Sequence, residues 1–243
     1  MDVVKKLLVF ASVAAGFFLC GLIVGHYRLP PYDGIKALKQ RLNLEIPLAG
    51  WSDRKLQGPV DVVMLGDSIT AQGEWNDIFP QVTILNLGIA GDTSAGVLNR
   101  LEDVVNLKPR TVFLMIGIND LLRDFPVRLI EKHVELSTQR LLENGITPII
   151  QSTLHVSNEK LDSVFPQVSK KELNADVKVL NALLRDWCFE KSIVYIDLND
   201  VFSPGDVLLP AFSEDGIHLN KEAYRVWGDI IWRYVISSRH VLQ

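Results

Sequence analysis

Val60-Asp61-Val62-Val63-Met64-Leu65-Gly66-Asp67-Ser68-Ile69-Thr70 is an apolar run that stops at a glycine and turns through Asp-Ser. Val60 to Leu65 is too short for a helix and too apolar for a surface strand, so it reads as a strand buried on both faces. Four further runs repeat the pattern: Val82 to Leu87, Thr111 to Ile116, Ile146 to Gln151 and Ile193 to Asp197. Helical spacing fills the intervals. Val97, Leu98, Leu101, Val104 and Val105 form one stripe, and Leu180, Leu183, Leu184 and Trp187 another; Ala223, Trp227, Ile230, Ile231 and Tyr234 mark a closing helix. Such alternation predicts an α/β fold: a mainly parallel five-stranded sheet with helices on both faces. Ligand sites in this architecture lie beyond the carboxyl ends of the strands. The chemically suggestive residues fall there.

Ser68 follows the first run and is a candidate nucleophile. Serine alone is a poor nucleophile at neutral pH, and needs an imidazole to take its proton and a carboxylate to orient that imidazole. Of five histidines, only His218 has a carboxylate three residues upstream, Asp215 in Asp215-Gly216-Ile217-His218-Leu219. The others, His26, His133, His155 and His240, lack that partner. Each residue also has an ordinary reading: Ser68 as a helix cap, Asp215 and His218 as members of a surface loop. No Gly-x-Ser-x-Gly elbow occurs.

Acyl transfer also requires donors aimed at the oxygen that turns negative in the transition state. Gly91, after the second run, offers a backbone N–H with no side chain in the way. Asn119, after the third, offers a side-chain amide. Gly91 is equally able to serve a turn with positive φ, and Asn119 to cap a helix. Their joint occurrence at strand ends, in this order, favours the chemical reading.

The blocks GDSIT, GIAGDTS, GIND and DGIHL resemble the four blocks of the SGNH hydrolases, the GDSL-type esterases and lipases, over Val60 to Trp232. The resemblance implies a flavodoxin-like, three-layer α/β/α sandwich and no cofactor. It casts Ser68 as nucleophile and His218 as base with Asp215 behind it. The Ser68 N–H, the Gly91 N–H and the Asn119 amide become the oxyanion donors. The longer strings around Gly91 and Asn119 are similar to the platelet-activating-factor-acetylhydrolase-like and lysophospholipase-like branch. That implies a serine esterase acting on short-chain or acetyl esters. Alternatives with the same site are a lysophospholipase or thioesterase for longer chains, and an acyltransferase. A non-catalytic module binding acylated glycans or lipids would be expected to lack one of the four residues.

Other residues are expected to support the site. Asp67 and Asp92 are placed to organise the loops of Ser68 and Gly91 by accepting backbone N–H bonds. Trp75 either lines an acyl pocket or packs on the sheet, the more usual fate of a tryptophan. His155 and Arg100 are expected in structural or surface roles, with substrate contact as the alternative. Cys20 and Cys188 are too few for a disulfide framework and read as small buried hydrophobes. No metal-ligand spacing is present.

The first fifth of the 243 residues differs from the rest. Leu7 to Gly25 is almost unbroken apolar sequence, roughly 28 Å as a helix, the hydrocarbon thickness of a bilayer. Lys5 and Lys6 precede it, and its end, Ile23-Val24-Gly25-His26, is a poor cleavage site. This predicts a single-pass N-terminal transmembrane anchor (residues 1–28) and a juxtamembrane linker (29–50). A hydrolase domain (51–243) follows, outside the cytoplasm, or secreted if the segment is cleaved. Pro30-Pro31 ends the anchor, and Ile35, Leu38 and Leu42 share a face of a following short helix, surface-lying or solvated. A net charge of −4 with interspersed signs argues against a nucleic-acid partner, because no basic stripe would track phosphates. The expected partners are a small-molecule, lipid or glycan ester and the membrane. Oligomeric state is not legible.

Overall fold

The computed structural model describes residues 60–157 and 170–239. The five apolar runs become β1 (Val62–Gly66), β2 (Ile84–Gly88), β3 (Thr111–Met115), β4 (Thr147–Gln151) and β5 (Val194–Ile196). They form one sheet in the order β2-β1-β3-β4-β5, with every neighbouring pair parallel. This is the doubly wound order in which the chain reverses direction between β1 and β3. β1 and β3 are buried along their whole length, whereas the edge strands β2 and β5 are only partly so. The expectation of burial on both faces therefore holds at the centre and fails at the margins, where a strand has a neighbour on one side only.

Between the strands run α1 (Ser68–Ala71), α2 (Trp75–Ile78), α3 (Ser94–Asn99), α4 (Leu101–Asn106), α5 (Ile118–Leu121), α6 (Val127–Glu143), α7 (Lys170–Glu190), α8 (Asn199–Phe202) and α9 (Lys221–Ser237). Crossovers β1→β2 and β2→β3 run in opposite directions along the sheet. Right-handed connections therefore place α1 and α2 on one face and α3 and α4 on the other. α3, α6 and α7 pack in a row, while α9 returns against α2. Three layers result, as expected.

The stripe from Val97 to Val105 is not one helix. Arg100 adopts φ −105° and ψ 9° and separates α3 from α4. Its side chain is buried and occupied with loop carbonyl and carboxylate groups, so the helix breaks where a charged group is drawn inward. Trp75 is core rather than pocket lining. It is 1% exposed, donates Nε1–H to Thr70 O at 3.1 Å, and meets Trp227 edge-on at 4.9 Å. Cys188 is buried on α7, and its thiol is pushed by burial up to about 12.

The register sets the height of the site. Gly66 pairs with Gly88 on one side and Met115 on the other, so β1, β2 and β3 end level. Ser68, Gly91 and Asn119 thus leave the sheet from three adjacent ends. Among the described residues no helix is long and apolar enough to cross a membrane. The run Leu7 to Gly25, the segment after Pro31 and part of the loop from Ser152 to Glu172 lie outside the described residues.

Candidate active site

Ser68 is the first residue of α1, and the cap is its neighbour. Asp67 accepts Ile69 N–H at 2.9 Å through Oδ1, so the serine hydroxyl is not spent on capping. Asp67 is 1% exposed. Burial pushes its carboxyl up to about 7 despite the Ile69 hydrogen bond, with the charges of Asp92 and Asp120 adding to the rise. Tyr224, from α9, donates its hydroxyl to Ile69 O at 2.6 Å and anchors α1 from the opposite side.

Asp215 and His218 sit in a loop closed by an antiparallel bridge between Ser213 and Leu219. Gly216 turns it at φ +87°, a conformation L side chains rarely adopt, and Ser157 N–H donates to its carbonyl at 2.8 Å. Asp215 Oδ1 accepts the N–H groups of Ile217 (2.9 Å) and His218 (2.8 Å). Its Oδ2 lies 2.6 Å from His218 Nδ1. Partial burial opposes ionisation of Asp215, but the His218 ring and these two N–H groups outweigh it and hold the carboxyl below its usual range. A carboxylate acceptor puts the proton on Nδ1, which leaves Nε2 with its lone pair. That nitrogen lies 2.9 Å from Ser68 Oγ.

Gly91 adopts φ +73°, so any L side chain there would strain the backbone. Its carbonyl accepts Arg123 Nη2 at 3.0 Å, while no acceptor for its N–H is found among the described residues. Asn119 is the second residue of α5 and is not its cap; Gly117 holds that position. The Asn119 Nδ2 is buried without a hydrogen-bond partner. An unmatched buried donor costs about 1–3 kcal/mol, which any acceptor brought to this amide would relieve.

A second set of Ser, His and Asp ties these loops together, and the sequence reading did not find it. Asp120 accepts Ser94 N–H through both oxygens (3.1 and 2.9 Å) and Ser94 Oγ–H at 2.7 Å. Ser94 Oγ also lies 2.9 Å from His133 Nδ1. Burial pushes Asp120 up to about 6 against the Ser94 hydrogen bonds, and burial lowers His133. Asp120 directly follows Asn119, and Ser94 opens α3 just beyond Gly91, so the bonds clamp the Gly91 and Asn119 loops to each other. The adjacency to Gly91 and Asn119 was the only sequence signal available.

Arg100 supplies the matching clamp to the Ser68 loop. Its Nε donates to Asp92 Oδ2 at 2.8 Å and its Nη2 to Gly66 O at 3.1 Å. Asp92 Oδ1 accepts Thr93 N–H at 2.9 Å. Asp67 and Asp92 thus accept backbone N–H bonds in their loops, and Arg100 is structural. His155 is buried too. Asn199 Oδ1 accepts its backbone N–H, and lies 3.1 Å from its Nδ1.

Residues 64–226 match the family described as GDSL-like lipase/acylhydrolase. The N-acylneuraminate cytidylyltransferase of Streptococcus agalactiae serotype V is 24% identical over 187 residues, 77% of this chain and 41% of that protein. The chain thus spans about two fifths of the length of these curated relatives. Platelet-activating factor acetylhydrolase IB subunit alpha2 of Homo sapiens is 35% identical over 66 residues, 25% of this chain and 29% of that one. Among solved structures, a GDSL-like lipase from Bacteroides thetaiotaomicron superposes with a TM-score of 0.64 at 23% identity, covering 73% of this chain and 88% of the other. That last likeness is one of fold.

Proposed function

We propose that the chain, which belongs to the GDSL-like lipase/acylhydrolase family, is an ester hydrolase, a serine esterase working through Ser68, His218 and Asp215. The observation that carries this reading is the unbroken path Asp215 Oδ2–His218 Nδ1 (2.6 Å) and His218 Nε2–Ser68 Oγ (2.9 Å). His218 takes the Ser68 proton as Oγ attacks the ester carbonyl. It then delivers that proton to the leaving alcohol, while Asp215 fixes the tautomer and stabilises the imidazolium. The N–H groups of Ser68 and Gly91 and the Asn119 amide hold the oxyanion. Water, deprotonated by His218, releases the acid from the acyl-enzyme. The unpartnered Asn119 Nδ2 supports its part.

The acyl group is short, with acetyl the first candidate. This rests on the likeness to an acetylhydrolase. Ser68→Ala is expected to lower turnover of p-nitrophenyl acetate on the order of 10⁴- to 10⁶-fold while the protein stays folded. Wild-type rates in that variant would remove the mechanism. The apolar run Leu7 to Gly25 supports a membrane tether with the domain outside the cytoplasm.

A further inference from the structure

The Gly91 N–H serves an oxyanion only while its peptide points the right way, and glycine is the residue least able to hold a direction by itself. The turn around it is closed by one bond, from Asp92 N–H to Ile89 O at 3.0 Å. Asp92 N–H and Gly91 O belong to the same rigid peptide plane. A plane hung from one end pivots about that bond. The Gly91 N–H, one residue's torsions away, moves with it.

Arg123 holds the other end. Its Nη2 donates to Gly91 O at 3.0 Å across 32 residues of sequence. Among the described residues, chain neighbours aside, that nitrogen is the one heavy atom within 4 Å of where a Gly91 Cβ would stand, at 3.8 Å. Apart from the guanidinium, Gly91 is open on that side. The base of Arg123 is fixed as well. It lies two residues beyond α5, the helix that carries Asn119, and its backbone N–H donates to Asp120 O at 3.0 Å. Asp124 follows at φ +57°, and Phe125 N–H returns to the same carbonyl at 3.1 Å. Arg123 is thus tied to the Asn119 helix at its root and to Gly91 at its tip. The Ser94–Asp120 bonds join the same two loops on the buried side, three residues beyond Gly91. They do not reach the Gly91 carbonyl.

We propose that Arg123 is a positioning residue for the oxyanion site: it fixes the peptide plane after Gly91 and so aims the Gly91 N–H beside the Asn119 amide. This rests on the Ser68 reading above. The guanidinium acts on a backbone oxygen, so its effect belongs to the transition state, where the oxyanion exists, and not to substrate binding.

The test is steady-state hydrolysis of p-nitrophenyl acetate by the full chain. Arg123→Ala is expected to lower kcat about 10- to 100-fold, somewhat less than the loss of a whole oxyanion donor, with KM changed by less than about threefold. Phenylboronic acid, whose serine adduct puts an oxygen where the oxyanion forms, is expected to bind more weakly by about the factor that kcat/KM loses. Arg123→Lys keeps one donor on a long stem. Because Gly91 O takes a single bond, that variant is expected to return kcat to within about threefold of wild type. Three results overturn the proposal: a kcat within about twofold of wild type in Arg123→Ala, a raised KM at constant kcat, or equal losses in the two variants. A urea midpoint for Arg123→Ala is expected to match wild type, since the side chain is exposed. Loss of the fold along with activity would make Arg123 structural and overturn the proposal too. If Ser68→Ala retains turnover, the esterase reading fails first. If that control behaves as expected, an unmoved Arg123→Ala counts against the positioning role alone.

Discussion

Two groups of serine, histidine and aspartate lie near each other in this molecule, and they are wired in different orders. In one, His218 stands between Asp215 and Ser68, touching both through different ring nitrogens. In the other, Ser94 stands between Asp120 and His133. The order decides the chemistry. Ser94 Oγ–H is already donated to a carboxylate, so His133 Nδ1 must be the donor to that oxygen, and it has no lone pair there to take a proton. Ser68 Oγ faces a ring nitrogen that can accept, because the proton of that ring is held on the other side. Exposure differs in the same sense. Ser94 and Asp120 are each 1% exposed, whereas Ser68 and His218 are only partly covered. On the proposed mechanism the first group transfers protons at a surface, while the second ties two loops together.

The largest effect expected from breaking this comparison is at Asp215. Asp215→Asn keeps the shape of the loop but offers His218 Nδ1 an amide, which permits the wrong tautomer. Turnover of p-nitrophenyl acetate is expected to fall about 10⁴-fold, with substrate affinity little changed. A loss below about tenfold would mean that the carboxylate is not what poises His218.

Much of this arrangement was legible in the chain, and the limits of that legibility are physical. The central strands could be read because both faces are buried, which makes the apolar run continuous; β1 and β3 begin or end within two residues of the runs that announced them. The Ser68, Gly91, Asn119 and His218 blocks could be read because each needs a particular residue type at a strand end. The clamp between Ser94 and Asp120 could not. Those residues are 26 apart in sequence, and they meet only because β2 and β3 flank β1, a fact of strand order. The break at Arg100 was hidden for a similar reason. Its stripe keeps helical spacing throughout, and the interruption comes from Asp92 and Gly66 O on other segments. The cleft beside His218 gathers residues from the turn after α1, the closing loop and the start of α9, so no local pattern announces it.

A smaller effect probes Asp67, the buried carboxylate next to Ser68 that feels the Asp120 charge of the second group. Asp67 is buried, raised to about 7, and feels both Asp92 and Asp120. Its folded-state affinity for a proton exceeds that of the unfolded chain, so folding takes up a proton between about pH 4 and 7 and this group's contribution to stability falls as pH rises through that window. Asp67→Asn can still accept the Ile69 N–H but has no proton to lose. Its urea midpoint relative to the unmodified protein is expected to rise from pH 4 to pH 8, by a few kcal/mol when converted. A difference that stays flat with pH would show that Asp67 ionises normally, with its charge compensated.

The smallest effect tests the wiring itself. Ser94→Ala removes the hydroxyl between Asp120 and His133 but leaves the two Ser94 N–H contacts to the carboxylate. Stability is expected to drop by about 1–3 kcal/mol, the usual result of leaving a buried polar partner short of a bond. Turnover should fall by no more than about tenfold if, as the proposed mechanism has it, Ser94 positions the Gly91 and Asn119 loops and takes no part in bond making. A fluorophosphonate probe should go on labelling Ser68 in this variant. If Ser94→Ala instead lost the probe and all turnover while remaining folded, the middle serine would have to be the nucleophile. Bonding order would then not be what separates the two groups. The two outcomes differ by several orders of magnitude in rate, so a single labelled and kinetically characterised variant decides between them.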